Sequence, residues 1–251
     1  MTRDISSVEA PQRVDVALVA AGLFESRARA AEAIAAGLVS IDGVPVTKPA
    51  SRVPAGARLE ARQPYPYVSR GGVKLAAGLD RFDFDPTGLR CLDVGASTGG
   101  FTDVLLRRGA AQVVAVDVGR DQLHPSLRGD PRVVSREATD IRALAPADLD
   151  GAIDLVVCDA SFVSLRIVLP PAFALAAPRA ALLVLIKPQF EAGRAALKKG
   201  IVRDPAIRDT VCRDISAFVT EAGWTVLGIA PSPIAGGDGN FEFLLGARRG
   251  D

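Results

Sequence analysis

Histidine and cysteine, the residues that most often build metal sites and catalytic triads, are scarce in this chain of 251 residues. His124 is the only histidine, so we expect neither a histidine-based triad nor a histidine metal centre. The three cysteines lie far apart in apolar surroundings, at Cys91, Cys158 and Cys212. This spacing predicts buried thiols in a reducing compartment and argues against a disulfide framework or a metal site.

Long apolar runs are missing as well. The longest, LVAAGL and ALLVLI, fall far short of the roughly 18 residues that span a bilayer. No charged segment followed by an apolar one opens the chain as a secretory signal would. With 30 basic against 29 acidic residues, the charge of the whole chain favours no class of partner. We therefore predict a cytoplasmic protein without a membrane partner.

From Leu89 onward, strand-like apolar runs alternate with helix-like segments. This alternation predicts an α/β fold with a doubly wound sheet and helices on both faces. The expected strands cover 90–94, 112–117, 132–135, 154–159, 180–186, 224–230 and 241–245, and the expected helices cover 100–108, 165–177 and 205–222. The last two strands flank the glycine-rich loop Ile234–Gly239 and should form an antiparallel edge.

The segment DVGASTGGFT, residues 93–102, joins the first of these strands to the following helix. Small residues at such a turn let backbone amides approach a nucleotide-like cofactor. Ser97 stands where a dinucleotide-binding loop has the glycine that lies against a pyrophosphate, so a cofactor without pyrophosphate fits better. The candidate cofactor-binding residues of this turn are Asp93, Gly95, Ala96, Ser97, Gly99, Gly100 and Phe101.

Polar residues follow the ends of the later strands. Asp117 ends QVVAVD and can accept hydrogen bonds from both ribose hydroxyls of a bound nucleoside. Asp140 is placed to reach an adenine amino group, although a role as N-cap of the IRAL segment explains it equally well. Asp159 ends LVVCD and can serve both cofactor and substrate, and Lys187 ends ALLVLIK. Because ligands bind at the carboxyl ends of parallel strands, these residues should line one site.

Two more charged residues are candidates for the same site. Lys74 lies in GGVKLAAGL, a short predicted helix, and Glu242 lies in the last predicted strand. Phe241 and Phe243 should point to the face opposite Glu242, so that one face buries two aromatic rings and the other presents a carboxylate. Taken singly, each of these charged residues also has an ordinary structural explanation.

The first part of the chain is organised differently. Two short helices should end at Gly22 and Gly37, and Ser26 is a good N-cap for the second. The strands LVSI and VPVT flank Asp42-Gly43, a dipeptide suited to a type I′ hairpin turn. We expect a flexible segment over 1–12, a small α+β domain over 13–61, a proline-stiffened linker over 62–69 and the α/β domain over 70–251.

The pattern from Arg13 to Lys48-Pro49 resembles the alpha-L RNA-binding domain, which also occurs in a ribosomal small-subunit protein and in many pseudouridine synthases. The resemblance implies a basic face that attracts RNA phosphates in a salt-sensitive manner, without reading base sequence. The candidate RNA-binding residues are Arg13, Arg27, Arg29, Lys48, Arg52 and Arg70. Without the resemblance, solvated basic side chains on a small surface would be the better explanation.

The glycine-rich turn resembles the one with which class I methyltransferases hold S-adenosylmethionine. In chain order and strand context, Lys74, Asp159, Lys187 and Glu242 resemble the Lys-Asp-Lys-Glu tetrad of FtsJ-type RNA ribose methyltransferases. A ribose 2′-hydroxyl is a very weak acid, so it needs a base or a cation beside it before it can attack a methyl group. A sulfonium and Lys74 near Lys187 would disfavour its protonated form, and a neutral lysine can take the proton. The sequence leaves open whether Lys187 is that base or orients the hydroxyl.

The motifs SRGGVKL, DASFVSL, KPQFE and GNFEFLL make the chain similar to the TlyA family over residues 13–246. Members carry a haemolysin name but act as ribosomal RNA 2′-O-methyltransferases, which modify a cytidine in large-subunit RNA and, in some members, another in small-subunit RNA. The resemblance implies a Rossmann-like class I methyltransferase sheet behind the RNA-binding domain. It also implies S-adenosylmethionine as cofactor, ribosomal RNA or ribosomal subunits as partner, and no metal.

Three other functions compete with this interpretation. A non-catalytic ribosome-assembly factor could keep the same fold, but the complete tetrad argues against it. A membrane-active haemolysin would need a segment able to span or coat a membrane, and the sequence contains none that looks suitable. An NAD-dependent enzyme is disfavoured by Ser97 and by a tetrad that has no role in hydride transfer.

Overall fold

The computed structural model describes residues 3–5, 8 and 11–250. The chain forms two compact units, Met1–Pro66 and Tyr67–Asp251, and each is described separately. The boundary between the units falls inside the predicted linker 62–69. Tyr65 belongs to the first unit, where its hydroxyl donates to Glu32 at 2.7 Å, and Tyr67 belongs to the second.

Short helices and strands build the first unit. The helices are α1 (Val14–Ala20) and α2 (Arg27–Ala35), and the strands are β1 (Arg3–Ile5), β2 (Gln12–Arg13), β3 (Val39–Ile41), β4 (Val44–Pro45), β5 (Arg52–Val53) and β6 (Leu59–Ala61). Ser26 caps α2 as predicted, because its hydroxyl accepts from the Arg29 amide at 3.2 Å. Asp42 and Gly43 both have positive φ angles, 48° and 78°, which agrees with the predicted type I′ turn.

The main sheet of the first unit is antiparallel in the order β1-β6-β3-β4, and β2 pairs with β5 in a separate ribbon. The expectation of a flexible segment over 1–12 is wrong for two parts of it. Arg3–Ile5 pairs with Leu59–Ala61, and Gln12 pairs with Val53. Both pairings join residues more than 35 positions apart, so the local sequence pattern could not show them.

The second unit alternates strands and helices, which confirms the predicted α/β class. Its strands are β7 (Arg90–Val94), β8 (Gln112–Val116), β9 (Val133–Arg136), β10 (Ile153–Cys158), β11 (Ala176–Ile186), β12 (Thr225–Pro231) and β13 (Phe243–Arg249). Its α-helices are α3 (Gly71–Phe82), α4 (Gly100–Arg107), α5 (Pro125–Arg128), α6 (Leu165–Leu175), α7 (Pro188–Glu191) and α8 (Pro205–Glu221).

One seven-stranded sheet, in the order β12-β13-β11-β10-β7-β8-β9, organises the second unit. The five strands from β11 to β9 are parallel, and β13 runs antiparallel between β11 and β12. The chain leaves β7 toward β8 on one side and later returns to β10 on the other. The strand order therefore reverses between β7 and β10, and a crevice for ligands is expected at their carboxyl ends.

The last strand differs from its prediction. It covers Phe243–Arg249, so Glu242 precedes it and does not belong to the regular strand. Phe241 is 54% exposed and lies under the Arg208 guanidinium at 3.8 Å from the ring centroid. The expectation that both neighbouring phenylalanines are buried is therefore wrong for Phe241. Strand alternation could not apply to residues that precede the first pair of the ladder.

Apolar side chains cover both faces of this sheet. Val156, Leu182 and Leu245 belong to the cluster on one face, and Leu155, Leu183 and Leu244 belong to the cluster on the other. Strands β10 and β11 are thus buried on both sides, as their uninterrupted apolar runs predict. All three cysteines are buried free thiols. This rigid sheet fixes the positions of the residues that follow its strands.

Candidate active site

The turn after β7 is shaped by close contact with the turn after β10. Gly95 has a φ of +82°, and a Cβ there would lie 2.9 Å from the Ala160 Cα, so only glycine fits. Ser97 also has a positive φ, 47°, and its amide donates to the Asp117 carboxylate at 2.8 Å. The turn after β7 is therefore packed tightly against the residues that follow β8 and β10.

Two of the predicted cofactor-binding residues support this turn from behind. Asp93 is fully buried and accepts a hydrogen bond from the Thr102 hydroxyl at 2.7 Å. Gly99 packs against Leu127, where a Cβ would lie 2.3 Å from the nearest side-chain atom. Two cavities open near the carboxyl ends of these strands, and neither Asp93 nor Gly99 lines either of them. Both residues therefore shape the loop, and their predicted contact with a cofactor stays a prediction.

Burial raises the pKa of Asp93 to about 7, more than the Thr102 hydrogen bond lowers it. A carboxyl whose pKa is higher in the folded than in the unfolded state binds its proton more tightly when folded, so the unfolding free energy should fall as pH rises from about 4 to 7. The slope from this one group is at most about 1.4 kcal/mol per pH unit. Asp93→Asn should flatten it, as measured by urea denaturation at several pH values. An unchanged slope in the variant would contradict this origin.

A cavity of about 770 Å³ opens beside the turn, at the carboxyl ends of β7, β8 and β10. Its polar wall includes Asp117 and Asp140, and its apolar wall includes three unusually exposed side chains, Val118, Phe162 and Ile167. Carboxylates that accept from hydroxyl or amino groups, opposite exposed apolar surface, suit a nucleoside. These hydrogen-bond acceptors and apolar side chains therefore fit the adenosine part of S-adenosylmethionine.

Both carboxylates already have partners within the protein. Asp117 accepts from the amides of Ser97 and Gly119, at 2.8 and 2.7 Å. Asp140 accepts from the Arg142 amide at 2.9 Å, which makes it the N-cap of a short 3₁₀ turn. The adjacent Arg142 guanidinium holds the pKa of Asp140 down at about 2. Asp140 is thus the predicted N-cap and also lines the cavity, while its contact with an adenine amino group stays a prediction.

A second cavity of about 570 Å³ is lined by all four candidate catalytic residues and is called the catalytic cavity for that reason. They form two ion pairs, Lys187 with Asp159 at 2.7 Å and Lys74 with Glu242 at 2.5 Å. Lys74, Lys187 and Glu242 are each 6% exposed. Four charged side chains from four separate segments thus meet in one cavity, and three of them are buried. Separate structural roles for the individual residues would not explain why they meet.

Lys187 is held by more than its ion pair. Its ammonium group donates to the Asp159 carbonyl oxygen at 3.0 Å and to the Ser161 hydroxyl at 2.8 Å. These two hydrogen bonds use two of the three donors of an ammonium group, and the Asp159 carboxylate adds the ion pair. The tip of this long side chain is thereby fixed at the end of β11.

The pair between Lys74 and Glu242 is enclosed by the loop that precedes β13. A Cβ at Gly236 would lie 2.1 Å from the Glu242 carboxylate, so the loop approaches this side chain closely because position 236 is glycine. Asn240 is also buried, and its amide donates to the Gly237 carbonyl at 3.0 Å. This loop completes one wall of the catalytic cavity.

The two cavities adjoin each other. Their walls share five residues: Gly95, Ser97, Asp159, Ser161 and Phe162. A group bound in the larger cavity can therefore meet a group bound in the smaller one across this common wall, where Lys187 is held against Asp159. Such an arrangement suits transfer of a small group between two bound molecules.

Several wall residues were absent from the sequence-based candidates. Ser161 binds Lys187, and Gln189, Phe190 and Asn240 line the catalytic cavity. Each lies within three residues of a predicted catalytic residue, inside the motifs DASFVSL, KPQFE and GNFEFLL. The signal available in the sequence was that each residue lies close to a predicted charged residue. That signal does not distinguish residues of a cavity wall from solvent-exposed neighbours.

Four of the basic candidates of the first unit fall into two groups. Arg13 and Arg27 both bind the buried Asp15 carboxylate at 2.9 Å, and they lower its pKa to about 2. Lys48 and Arg52 have exposed side chains. Arg13 and Arg27 therefore stabilise the unit, whereas the other two are directed to solvent.

The two remaining candidates have other surroundings. The Arg29 guanidinium lies 4.0 Å from the Tyr65 ring centroid. Arg70, in the second unit, lines the catalytic cavity.

Among residues 3–5, 8 and 11–250, no group of three or more His, Cys, Asp or Glu side chains is arranged to hold a metal. Within the same described part of the chain, no helix is long and apolar enough to cross a membrane.

Two protein families match separate parts of the sequence. The FtsJ-like methyltransferase family matches residues 67–249, and the S4 domain matches residues 12–59. A methyltransferase from Mesorhizobium loti that depends on S-adenosylmethionine shares the fold, with a TM-score of 0.51 and 14% identity over 70% of this chain and 98% of that one.

More similar proteins match almost the whole chain. The 16S/23S rRNA (cytidine-2'-O)-methyltransferase TlyA of Mycobacterium tuberculosis is 47% identical over 94% of this chain and 89% of its own length. Hemolysin A of Brachyspira hyodysenteriae is 38% identical over 92% and 98%. A solved hemolysin-named protein of Streptococcus thermophilus has a TM-score of 0.77 and 40% identity, over 97% of this chain and 90% of that one.

Proposed function

This chain belongs to the TlyA family of FtsJ-like methyltransferases, and we propose that it methylates the ribose 2′-hydroxyl of a cytidine in ribosomal RNA. The RNA of the large subunit is the proposed substrate, and the small subunit is a second substrate to be tested. The observation that carries the proposal is the convergence of Lys74, Asp159, Lys187 and Glu242 beside a cavity that fits a nucleoside. A substrate in the ribosome also implies action in the cytoplasm.

S-adenosylmethionine is the proposed cofactor, and it supplies an electrophilic methyl group on a positive sulfonium. Asp117 would accept from the ribose hydroxyls, and Asp140 would accept from the adenine amino group. The exposed Val118 and Phe162 would cover the apolar faces of the base. Gly95, Ala96, Ser97, Gly100 and Phe101 contribute the remaining wall toward the catalytic cavity.

The catalytic residues act on the 2′-hydroxyl in this account. Lys187 contacts the hydroxyl oxygen and either takes its proton or stabilises the developing negative charge. Asp159 and Ser161 hold the lysine Nζ, so that the oxygen stays in line with the methyl group. The buried Lys74–Glu242 pair would hold another part of the cavity wall and keep water away from it.

The 2′-hydroxyl must reach a site bounded by buried charges, so the target nucleotide has to leave its helix. Arg70 lines the catalytic cavity and is proposed to bind a phosphate next to that nucleotide. In the first unit, the S4 domain match supports RNA binding through Lys48 and Arg52, whose side chains are exposed.

Ribosomal subunits that lack the modification test the proposed function directly. Purified protein is mixed with labelled S-adenosylmethionine and either subunit, and label incorporated into RNA is counted. We expect incorporation into the large subunit at a rate that depends on enzyme concentration. Cofactor binding without label in either subunit would contradict the proposal and favour a non-catalytic assembly factor.

A second prediction concerns the basic residues of the first unit. A variant carrying Lys48→Ala and Arg52→Ala should bind ribosomal subunits more weakly at low salt. Each lost phosphate contact should lower the slope of log K against log salt by about 0.7–0.9. The melting temperature should be unchanged, because both side chains are exposed and neither is bonded to a buried side chain among the residues that the structure describes.

Arg27→Ala is the matched comparison for this binding experiment. It removes one positive charge, against two in the Lys48 and Arg52 variant, but it also leaves Asp15 with one arginine fewer, so it should lower the free energy of unfolding by about 1.5–3 kcal/mol. Thermal melts and filter binding on the same preparations separate the two effects. A salt slope that stays at the wild-type value in the Lys48 and Arg52 variant would contradict their assignment to RNA.

A further inference from the structure

A partly buried carboxylate outside both cavities accepts two hydrogen bonds from a distant segment of the chain. The Glu191 carboxylate, at the end of α7, accepts from the Ser164 hydroxyl at 2.6 Å and from the Leu165 amide at 2.8 Å. Ser164 is the N-cap of α6, and its oxygen also accepts from the Arg166 amide at 3.1 Å. Glu191 lines neither cavity, and the proposed mechanism does not use it. Its contacts fix the start of α6 against the end of α7.

These contacts join the two segments that hold the catalytic ion pair. The segment 187–191 begins with Lys187, and the segment 159–164 contains Asp159 and Ser161. At the cavity, the segments are joined by the bonds from the lysine Nζ to the aspartate and to the serine. At their far ends they are joined by the glutamate contacts. A change at the glutamate can therefore reach the atoms around Nζ through a short stretch of chain.

The segment 159–164 depends on such an anchor. It lies in neither a helix nor a strand, so regular backbone hydrogen bonds do not hold it. Phe162, near its middle, has a left-handed backbone with a φ of 64°, which persists only where surrounding contacts enforce it. The segment 187–191 is helical from its second residue, and the Phe190 amide donates to the Lys187 carbonyl at 2.9 Å. The glutamate thus holds an irregular segment against a regular one.

We propose that Glu191 is a positioning residue for methyl transfer, which keeps Asp159 and Ser161 where they fix the Lys187 ammonium group. The inference rests on the proposed function and deepens it. Without the two glutamate bonds, the segment 159–164 shifts, and Nζ loses its fixed position beside the 2′-hydroxyl. A displacement of about 1 Å in such a site can slow the reaction about 100-fold. Glu191 therefore acts on the rate without touching the substrate.

The test measures the single-turnover rate constant with RNA and S-adenosylmethionine at saturating concentrations, so that neither affinity enters the result. Glu191→Ala removes both bonds and should lower the rate constant about 10- to 100-fold. Ser164→Ala leaves the bond to the Leu165 amide and should lower it about three- to tenfold. Glu191→Gln can accept from that amide and donate to the Ser164 oxygen, so it should stay within about threefold of the wild type.

A mutant cycle separates positioning from a purely stabilising role. Because Glu191 acts through the segment that carries Ser161, the loss caused by Glu191→Ala should be smaller in a Ser161→Ala background than in the wild type. Independent losses, which multiply in the double variant, would overturn the proposal. So would a wild-type rate constant in folded Glu191→Ala or, if that variant does not fold, in Ser164→Ala.

Asp154→Ala is the matched control. The Asp154 carboxylate also accepts from the amide of another segment, that of Arg90 at 2.9 Å, but it lies near the amino end of β10 and lines neither cavity. The variant should lower the melting temperature and retain the rate constant. An equal loss of rate in this control would overturn the specific role of Glu191. Absence of methyl transfer by the wild type would instead overturn the proposed function, so the two failures are distinguishable.

Discussion

Lys187→Ala will bind S-adenosylmethionine with near wild-type affinity but will transfer its methyl group about 10²- to 10⁴-fold more slowly. The side chain lies in the wall of the catalytic cavity and is absent from the wall of the nucleoside-sized one. Its removal therefore takes away the group beside the 2′-hydroxyl and leaves the cofactor contacts in place. Single-turnover methyl transfer and calorimetric cofactor titration measure the two properties separately.

Lys199→Ala serves as the control for this experiment, because Lys199 is exposed and lines neither cavity. It should retain transfer activity. A folded Lys187→Ala protein with wild-type turnover would exclude the tetrad as the catalytic group. A large loss of cofactor affinity in the same variant would mean that Lys187 also contributes to cofactor binding, contrary to the proposal.

Breaking the pair between Lys74 and Glu242 from one side should destabilise the second unit by about 3–5 kcal/mol. Both side chains are 6% exposed, so Lys74→Met leaves a carboxylate buried without its cation. Combining Lys74→Met with Glu242→Gln removes both charges at nearly constant volume. The double variant should therefore be more stable than Lys74→Met alone, although it should still lack methyl transfer.

Urea denaturation of the wild type, the two single variants and the double variant forms a closed mutant cycle. We expect a coupling energy of at least about 1 kcal/mol, with activity lost in all three variants. Additive effects of the single changes would contradict a direct interaction between the two charges. Recovery of activity in the double variant would show that this pair is dispensable for the reaction.

The residues at strand ends were the part of the site that the sequence could predict. Asp117, Asp159 and Lys187 each follow an apolar run, and the parallel sheet brings the ends of such runs to one edge. The predicted hairpin and N-cap of the first unit depend on local backbone chemistry and were equally accessible. Rules that link sequence to structure over a few residues were sufficient for these features.

Other features depend on contacts between distant segments. Strand β1 exists through its pairing with β6, and the placement of Glu242 depends on Lys74 and on the absence of a side chain at Gly236. Arg27 looked equivalent to Lys48, but the buried Asp15 binds only the former of these two. Local sequence patterns do not report which distant partner a charged side chain meets.

The position of the transferred methyl group tests the central claim most directly. Ribosomal RNA methylated by the wild-type protein would be digested to nucleosides and fragments, and mass spectrometry would locate the added methyl. The account predicts 2′-O-methylcytidine at one position of large-subunit RNA, absent when Lys187→Ala is used. A methyl group on a base, or the same 2′-O-methyl product from the Lys187→Ala protein, would contradict it.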